Sequence, residues 1–187
     1  MNSIQPTAHS FCPVTPGHRG LLVELLVDSY RRLFEQNSCW ADLPRSFQQF
    51  DAEVFQNIET LGRCVFLTRL DEQFIGFSSF DPRQAPKTVA IGHNCVVPRF
   101  QNRGLGKAQT VETLNRLKQW SPLKVTVTTS EHPFFLSARR MYLSCGFTEV
   151  RRHVAGPDAR YGVILLEREM ATGNERLLPT GDSLCSG

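Results

Sequence analysis

Apolar positions along this chain recur with two periods, and the change of period marks the elements. Leu21, Leu22, Leu25, Leu26, Tyr30, Leu33 and Phe34 fall at helical spacing. Thr15-Pro16 ahead of them reads as an N-cap followed by a first-turn proline. A second helix is predicted through Phe47, Phe50, Val54, Phe55, Ile58 and Leu61, closing at Gly62. The pattern then turns strand-like. "RCVFLTRL" and "QFIGFSSF", either side of Asp71-Glu72, predict an antiparallel hairpin, and "TVAIGHNCVVP" a third strand stopped by Pro98.

Beyond the polar stretch "QNRGLGKA" (residues 101–108), a helix is predicted with Leu105, Ala108, Val111, Leu114 and Leu117 on one side, closed by Ser121-Pro122. "KVTVTTS" is a further strand. A shorter helix runs from about Pro133 to Ser144 and ends at Cys145-Gly146-Phe147, where glycine suits a left-handed cap. Strands around Thr148–Val154 and Tyr161–Glu169 pair through "AGPDAR". From Ala171 onward the periodicity is lost, as in a loosely held tail. Helices first, then a hairpin, then alternating strands and helices predict a mixed α/β (α+β) domain. The division is 1–9 as an N-terminal extension, 10–170 as one domain and 171–187 as a flexible tail.

Composition narrows the class. The 187 residues are 41% hydrophobic and 21% charged, enough for one globular core. A net charge of +3 with scattered basic residues gives no nucleic-acid signature. The longest apolar runs are far too short to span a bilayer, and "MNSIQPTAHSF" lacks the basic start and apolar core of a signal peptide. A cytoplasmic location is expected. Cys12, Cys39, Cys64, Cys95, Cys145 and Cys185 form no CxxC pair. They read as small apolar side chains rather than metal ligands or disulfides, and no metal is expected.

Two glycines in "QNRGLGKA" raise the question of a phosphate. A Walker loop needs glycine where Gln101 stands and serine or threonine where Ala108 stands; the dinucleotide fingerprint needs a small residue at Gln109. Both patterns fail. What remains is a strand, a proline, a glycine turn and a helix whose first amides lack intrahelical partners. G-x-G alone fits an ordinary helix-opening loop equally well.

The wider stretch decides the matter. "VVPRFQNRGLGKA" resembles the acetyl-CoA loop of the GNAT superfamily of N-acetyltransferases, with Gln101, Gly104 and Gly106 on its pattern and Val96 and Pro98 at the strand end before it. The family's second signature has its counterpart in "ARRMYLSCGF", where Ala138, Met141, Tyr142, Gly146 and Phe147 fill the places. The resemblance covers roughly residues 10–170.

That resemblance implies a mostly antiparallel central sheet, splayed between the fourth and fifth strands and flanked by about four helices. Acetyl-CoA would be the co-substrate. Its pantetheine would bond the main chain of Cys95, Val96 and Val97, and its pyrophosphate the loop from Gln101 and Asn102 through Arg103, Gly104, Leu105, Gly106, Lys107 and Ala108. The reaction implied is direct attack of a neutral amine on the thioester, with Tyr142 returning a proton to sulfur.

The general base is less defined. Counting back to the family's usual position reaches Ala90 and Gly92. His93 is the titratable alternative on that strand, though strict alternation points it away from Ala90, Gly92 and Asn94 unless a bulge intervenes. "TTSEHPFF" offers Glu131 and His132 at the cleft mouth with Ser130 as cap, and Phe135 where the family often has asparagine. Relay by water is a further route. The acceptor is a small-molecule or protein amine, bounded by Trp40, Phe47–Phe50, Asp158 and Arg160; no nucleic acid or membrane partner is expected, and the chain acts as a monomer or homodimer. A longer acyl group, or a catalytically silent acyl-CoA sensor, remains open at this point.

Overall fold

The computed structural model describes residues 9–36, 38–154 and 160–170. Seven strands form one sheet: β1 (His9–Pro13), β2 (Val65–Leu70), β3 (Gln73–Asp81), β4 (Thr88–Val96), β5 (Lys124–Ser130), β6 (Thr148–Val154) and β7 (Gly162–Glu169). Their order is β1-β2-β3-β4-β5-β7-β6. Every neighbouring pair is antiparallel except β4 and β5, which run parallel. The helices are α1 (Leu21–Gln36), α2 (Leu43–Gln56), α3 (Leu105–Leu117) and α4 (Leu136–Ser144).

Two cores flank this sheet. One packs Leu22, Leu25 and Leu26 of α1 and Phe47, Val54 and Phe55 of α2 against β2, β3 and Cys95. The other packs Leu114 and Leu117 of α3 and Tyr142 of α4 against Val89, Ile91, Val125, Val127, Ile164 and Leu166. In β5 these apolar residues alternate with Lys124, Thr126 and Thr128, and in β4 with Thr88, Ala90 and Gly92, so that one face of each strand is buried in this core.

Three boundaries differ from the periodicity. The chain enters through β1, which begins at His9 and pairs with β2; "HSFCP" carries no alternation long enough to read. Thr15-Pro16 opens a short 3₁₀ turn rather than α1, because Gly20 at φ +89° breaks the path before Leu21. The Gly20 amide is held by both carboxylate oxygens of buried Asp51 at 3.1 Å. α2 stops at Gln56, and the Asn57 carbonyl collects the amides of Thr60, Leu61 and Gly62.

α3 also presents a different face. Gln109, Thr110 and Thr113 are buried with Leu114 and Leu117, whereas Val111 is exposed. Those polar side chains can face the sheet because each finds a partner. Thr110 and Thr113 bond back to Gly106 and Gln109 carbonyls at 2.9 Å, and Gln109 Nε2 donates to the Cys95 carbonyl at 3.2 Å. The Pro133–Ser144 helix divides into a 3₁₀ turn and α4. At its end Gly146 takes φ +83°, and the Phe147 amide donates to the Tyr142 carbonyl at 3.2 Å.

The described cysteines are all free, with Cys64, Cys95 and Cys145 buried; Cys185 lies outside the described residues. So do residues 171–187 and Asp158. No helix among the described residues is long and apolar enough to cross a membrane.

Candidate active site

β4 and β5 are paired only from Thr88↔Lys124 to Ile91↔Val127. Beyond Ile91 and Val127 they are no longer paired, and a gap opens in the middle of the sheet. Just there β4 carries an extra residue against β3. Ser78 faces Asn94 and Phe80 faces Ile91, so Gly92 and His93 together oppose Ser79. Ser79 Oγ accepts from the His93 amide at 2.8 Å. A Cβ on Gly92 would lie 2.7 Å from that oxygen, so the bulge requires glycine.

The bulge corrects the alternation expected for His93. Its ring shares a cavity with Gly92 and meets Phe50 edge-on at 4.6 Å, with Phe47 and Phe77 at 5.9 and 6.1 Å. Desolvation in this apolar setting pushes the imidazole down to about 4, leaving it neutral at pH 7. Asn94, the next residue, points the other way, donating from Nδ2 to Thr110 Oγ1 at 3.0 Å. Its Oδ1 is buried without a partner.

The main chain at the end of β4 follows from antiparallel pairing. The Val97 amide donates to the Ile75 carbonyl at 2.9 Å, and Cys95 stands opposite Phe77. Successive residues of such a strand alternate in bonding direction. The backbones of Cys95 and Val97 are therefore turned to β3, and those of Asn94 and Val96 face the gap. This corrects the expected set of Cys95, Val96 and Val97: only Val96 of the three offers main chain to a ligand in the gap, and Asn94 joins it. An asparagine of low strand propensity inside an apolar run was the available signal.

The loop beyond β4 is tied to the strand and opens α3. Gln101 Nε2 donates to the Val96 carbonyl at 2.7 Å. Asn102 at φ +60° and Gly104 at φ +79° turn the chain through the left-handed region into the helix. The first intrahelical bond runs from the Ala108 amide to the Gly104 carbonyl at 3.0 Å. Hence Leu105, Gly106 and Lys107 present unpaired amides at the positive end of α3, while Ala108, expected among the phosphate contacts, has its amide committed. Nothing lies within 4 Å of a Cβ built on Gly104 or Gly106. Arg103 is drawn aside, with Nη2 on the Arg99 carbonyl at 3.2 Å and its guanidinium 5.3 Å from the Phe100 ring.

Two adjoining cavities of about 350 and 430 Å³ run from this loop into the gap, sharing Asn94, Val96, Gln101, Asn102, Ser137 and Ala138. Bare helix amides, open glycine surface, an orphaned Asn94 Oδ1 and a strand edge turned to the gap at Asn94 and the Val96 amide fit a diphosphate carrying an extended amide arm, as in coenzyme A.

Tyr142 of α4 is buried against Phe147, ring centroids 5.5 Å apart. Burial pushes its phenol up to about 12, only partly opposed by the Asn94 side chain beside it. Tyr30 is raised chiefly by burial, with Cys95 and Tyr142 adding to it, so the three side chains form one cluster. Burial likewise lifts the Cys95 thiol to about 12, which keeps it protonated and un-nucleophilic.

The other candidate bases are engaged. Glu131 Oε1 accepts from Arg152 Nη1 at 2.6 Å, and Oε2 from the Gly162 amide at 3.0 Å. His132 Nδ1 accepts from the Phe134 amide at 3.1 Å, so His132 caps the turn, and Ser130 Oγ takes the His132 amide at 3.2 Å. Phe135 joins Tyr30, Trp40 and Phe134 in an aromatic cluster with centroids 5.1–6.1 Å apart. The Arg160 guanidinium sits 5.7 Å from the Tyr161 ring. Among the described residues no group of three or more His, Cys, Asp or Glu side chains is placed to hold a metal ion.

Comparison with known proteins agrees with this architecture. Residues 22–147, well over half of the chain, match the acetyltransferase (GNAT) family. The chain belongs to that family, and it is a transferase by membership. Among solved structures it is similar to a GNAT-family protein from Desulfovibrio desulfuricans, with TM-score 0.71 and 19% identity over 88% of this chain and 100% of that one. YncA from Salmonella typhimurium, solved with its cofactor acetyl-CoA, gives TM-score 0.69 and 16% identity over 92% and 98%. The PaiA N-acetyltransferase from Thermoplasma acidophilum, in complex with coenzyme A, gives 0.66 and 12% over 87% and 99%. A search of curated proteins finds no match. At these identities the structural likeness carries the fold.

Proposed function

We propose that this protein transfers the acetyl group of acetyl-CoA to a primary amine by direct attack on the thioester. The observation that carries this is the gap between β4 and β5, with the main chain of Asn94 and the amide of Val96 turned to it and buried Tyr142 beside it. Coenzyme A would lay its diphosphate on the amides of Leu105, Gly106 and Lys107 and its arm along Asn94 and Val96.

In this reading the amine lone pair forms the new N–C bond, the C–S bond breaks with its electron pair on sulfur, and Tyr142 supplies the proton that yields the free thiol. A phenol raised by burial stays protonated at working pH, as a donor to a thiolate must. His93, whose imidazole burial pushes down to about 4, does not take the amine's proton outright; the proton leaves by way of water at the bulge to solvent. Glu131 and His132 serve architecture, since their acceptor atoms are already bonded.

The test is binding followed by turnover. Acetyl-CoA at a hundred times its Kd is expected to stabilise the fold by about 2.7 kcal/mol. Amide formation is then followed by mass spectrometry over an amine panel. No thermal shift overturns the coenzyme assignment; binding without acetyl transfer to any amine leaves a sensor.

A further inference from the structure

A further cavity among the described residues lies apart from the two assigned to the coenzyme. It lies between α2 and strands β3 and β4, has a volume of about 230 Å³, and is walled by Phe50, Val54, Leu61, Cys64, Val65 and Phe80. At its mouth stand two carboxylates, Glu53 and Asp81, against one guanidinium, Arg83, which bonds Asp81 at 2.9 Å. Gly92 and His93 also line it, and the His93 ring makes no hydrogen bond among the described residues. Asn94, the next residue, lines the coenzyme cavities instead. The β4 bulge therefore stands between the two chambers, with Gly92 and His93 lining one and Asn94 the other.

We infer that the acceptor is a small primary amine with an apolar body, seated in the α2–β3–β4 cavity with its nitrogen directed past the Gly92–His93 bulge into the gap. This rests on the acetyltransferase reading above and names the substrate class for it. The net negative mouth draws in an ammonium, and the apolar back wall takes the hydrocarbon or aromatic body. A polyamine would bury a second charge against Leu61, Cys64 and Val65, and a peptide would bury unpaired backbone amides there; both are costly. The volume suits a molecule well below drug size. An amine that arrives as the ammonium gives up two N–H protons, one to solvent to free its lone pair and one after attack, and sulfur gains one, so the net release is one proton to solvent.

Phenethylamine, spermidine and a lysine-containing hexapeptide are the probes, used with the full chain. Phenethylamine is expected to exceed the other two in kcat/KM by about tenfold or more. It should also raise the melting temperature on its own, without acetyl-CoA. Cys64→Phe, which fills the back of the cavity, should abolish that shift and raise the phenethylamine KM about tenfold while the acetyl-CoA shift persists. Should that variant fail to fold, Leu61→Trp at the half-exposed edge carries the same expectation. A preference for spermidine or the peptide, or indifference of the phenethylamine KM to both fillings, overturns the inference alone. Loss of the acetyl-CoA shift in the wild type overturns instead the reading beneath it.

Discussion

Gln101 Nε2 holds the carbonyl oxygen of Val96 at 2.7 Å, so the loop that opens α3 is fastened to the last residue of the strand bordering the gap. The two parts of the proposed coenzyme site, strand edge and helix start, are thereby kept in register by one side chain. Gln101 is exposed, and its bond is worth about 1 kcal/mol. Gln101→Ala should weaken acetyl-CoA binding about tenfold, measured by calorimetry, while the melting temperature of the free protein falls by only about 2–4 °C.

The paired glycines should respond in opposite senses. Gly104 stands at φ +79° with open space around it, so Gly104→Ala meets no clash but forces an L residue into the left-handed region, costing about 1–2 kcal/mol. Gly106 is helical and equally open; Gly106→Ala should stabilise the free fold by up to about 1 kcal/mol. Both substitutions should weaken coenzyme binding, Gly106→Ala by placing a methyl group where the phosphates approach. Denaturant titrations with and without coenzyme separate the two effects.

Tyr142→Phe keeps the ring against Phe147 and removes only the hydroxyl. The expected loss is about 10²-fold in kcat with an unchanged acetyl-CoA thermal shift. Because burial holds the phenol at about 12, the wild-type rate should show no alkaline fall assignable to tyrosine below about pH 10.

His93 makes stability pH-dependent. Its pKa is lowered from the usual 6.5 to about 4 by desolvation, so the unfolded chain binds a proton in that interval when the folded one does not. Stability should fall as pH drops from 6.5 towards 4, read by urea titration at pH 7 and pH 5. Of the charged groups Glu53, Asp81 and Arg83 that line its cavity, Asp81 is held below its usual range by the Arg83 hydrogen bond. His93→Gln should flatten the slope.

Glu131→Gln should retain activity within a few-fold. The amide oxygen can still accept from Gly162, and the lost ion pair with half-exposed Arg152 is worth about 1 kcal/mol or less. A loss of 10²-fold or more would return Glu131 to the role of base.

Much of this site was readable from residue types and spacing. Gln101 acts through its side-chain amide, Gly104 through a left-handed φ and Gly106 through the open surface a missing Cβ leaves, so their spacing carries the loop. Tyr142 and Gly146 follow a helix and its cap. The strand-edge contacts were misassigned because hydrogen-bond direction along β4 is fixed by its partner β3, which no local pattern records. His93 was placed on the wrong side by strict alternation. Gly92 was the clue, a glycine inside a strand where a bulge needs one. Glu131 read as a free carboxylate because Arg152 and Gly162 arrive from strands β6 and β7, more than twenty residues away.

Only four residues of β4 are bonded to four of β5, and from there the two strands diverge without rungs between them. The junction behaves as a lever. From Ile91 to Val96 the strand extends about 16 Å, so each 5° change of pitch at the junction moves the far end by roughly 1.4 Å. A displacement of that size can cost a reaction about a hundredfold. Substitutions at Val89, Ile91, Val125 or Val127, which are buried in the core and line none of the three cavities described, should thus change the proposed spacing of thioester and amine through the angle of the sheet alone.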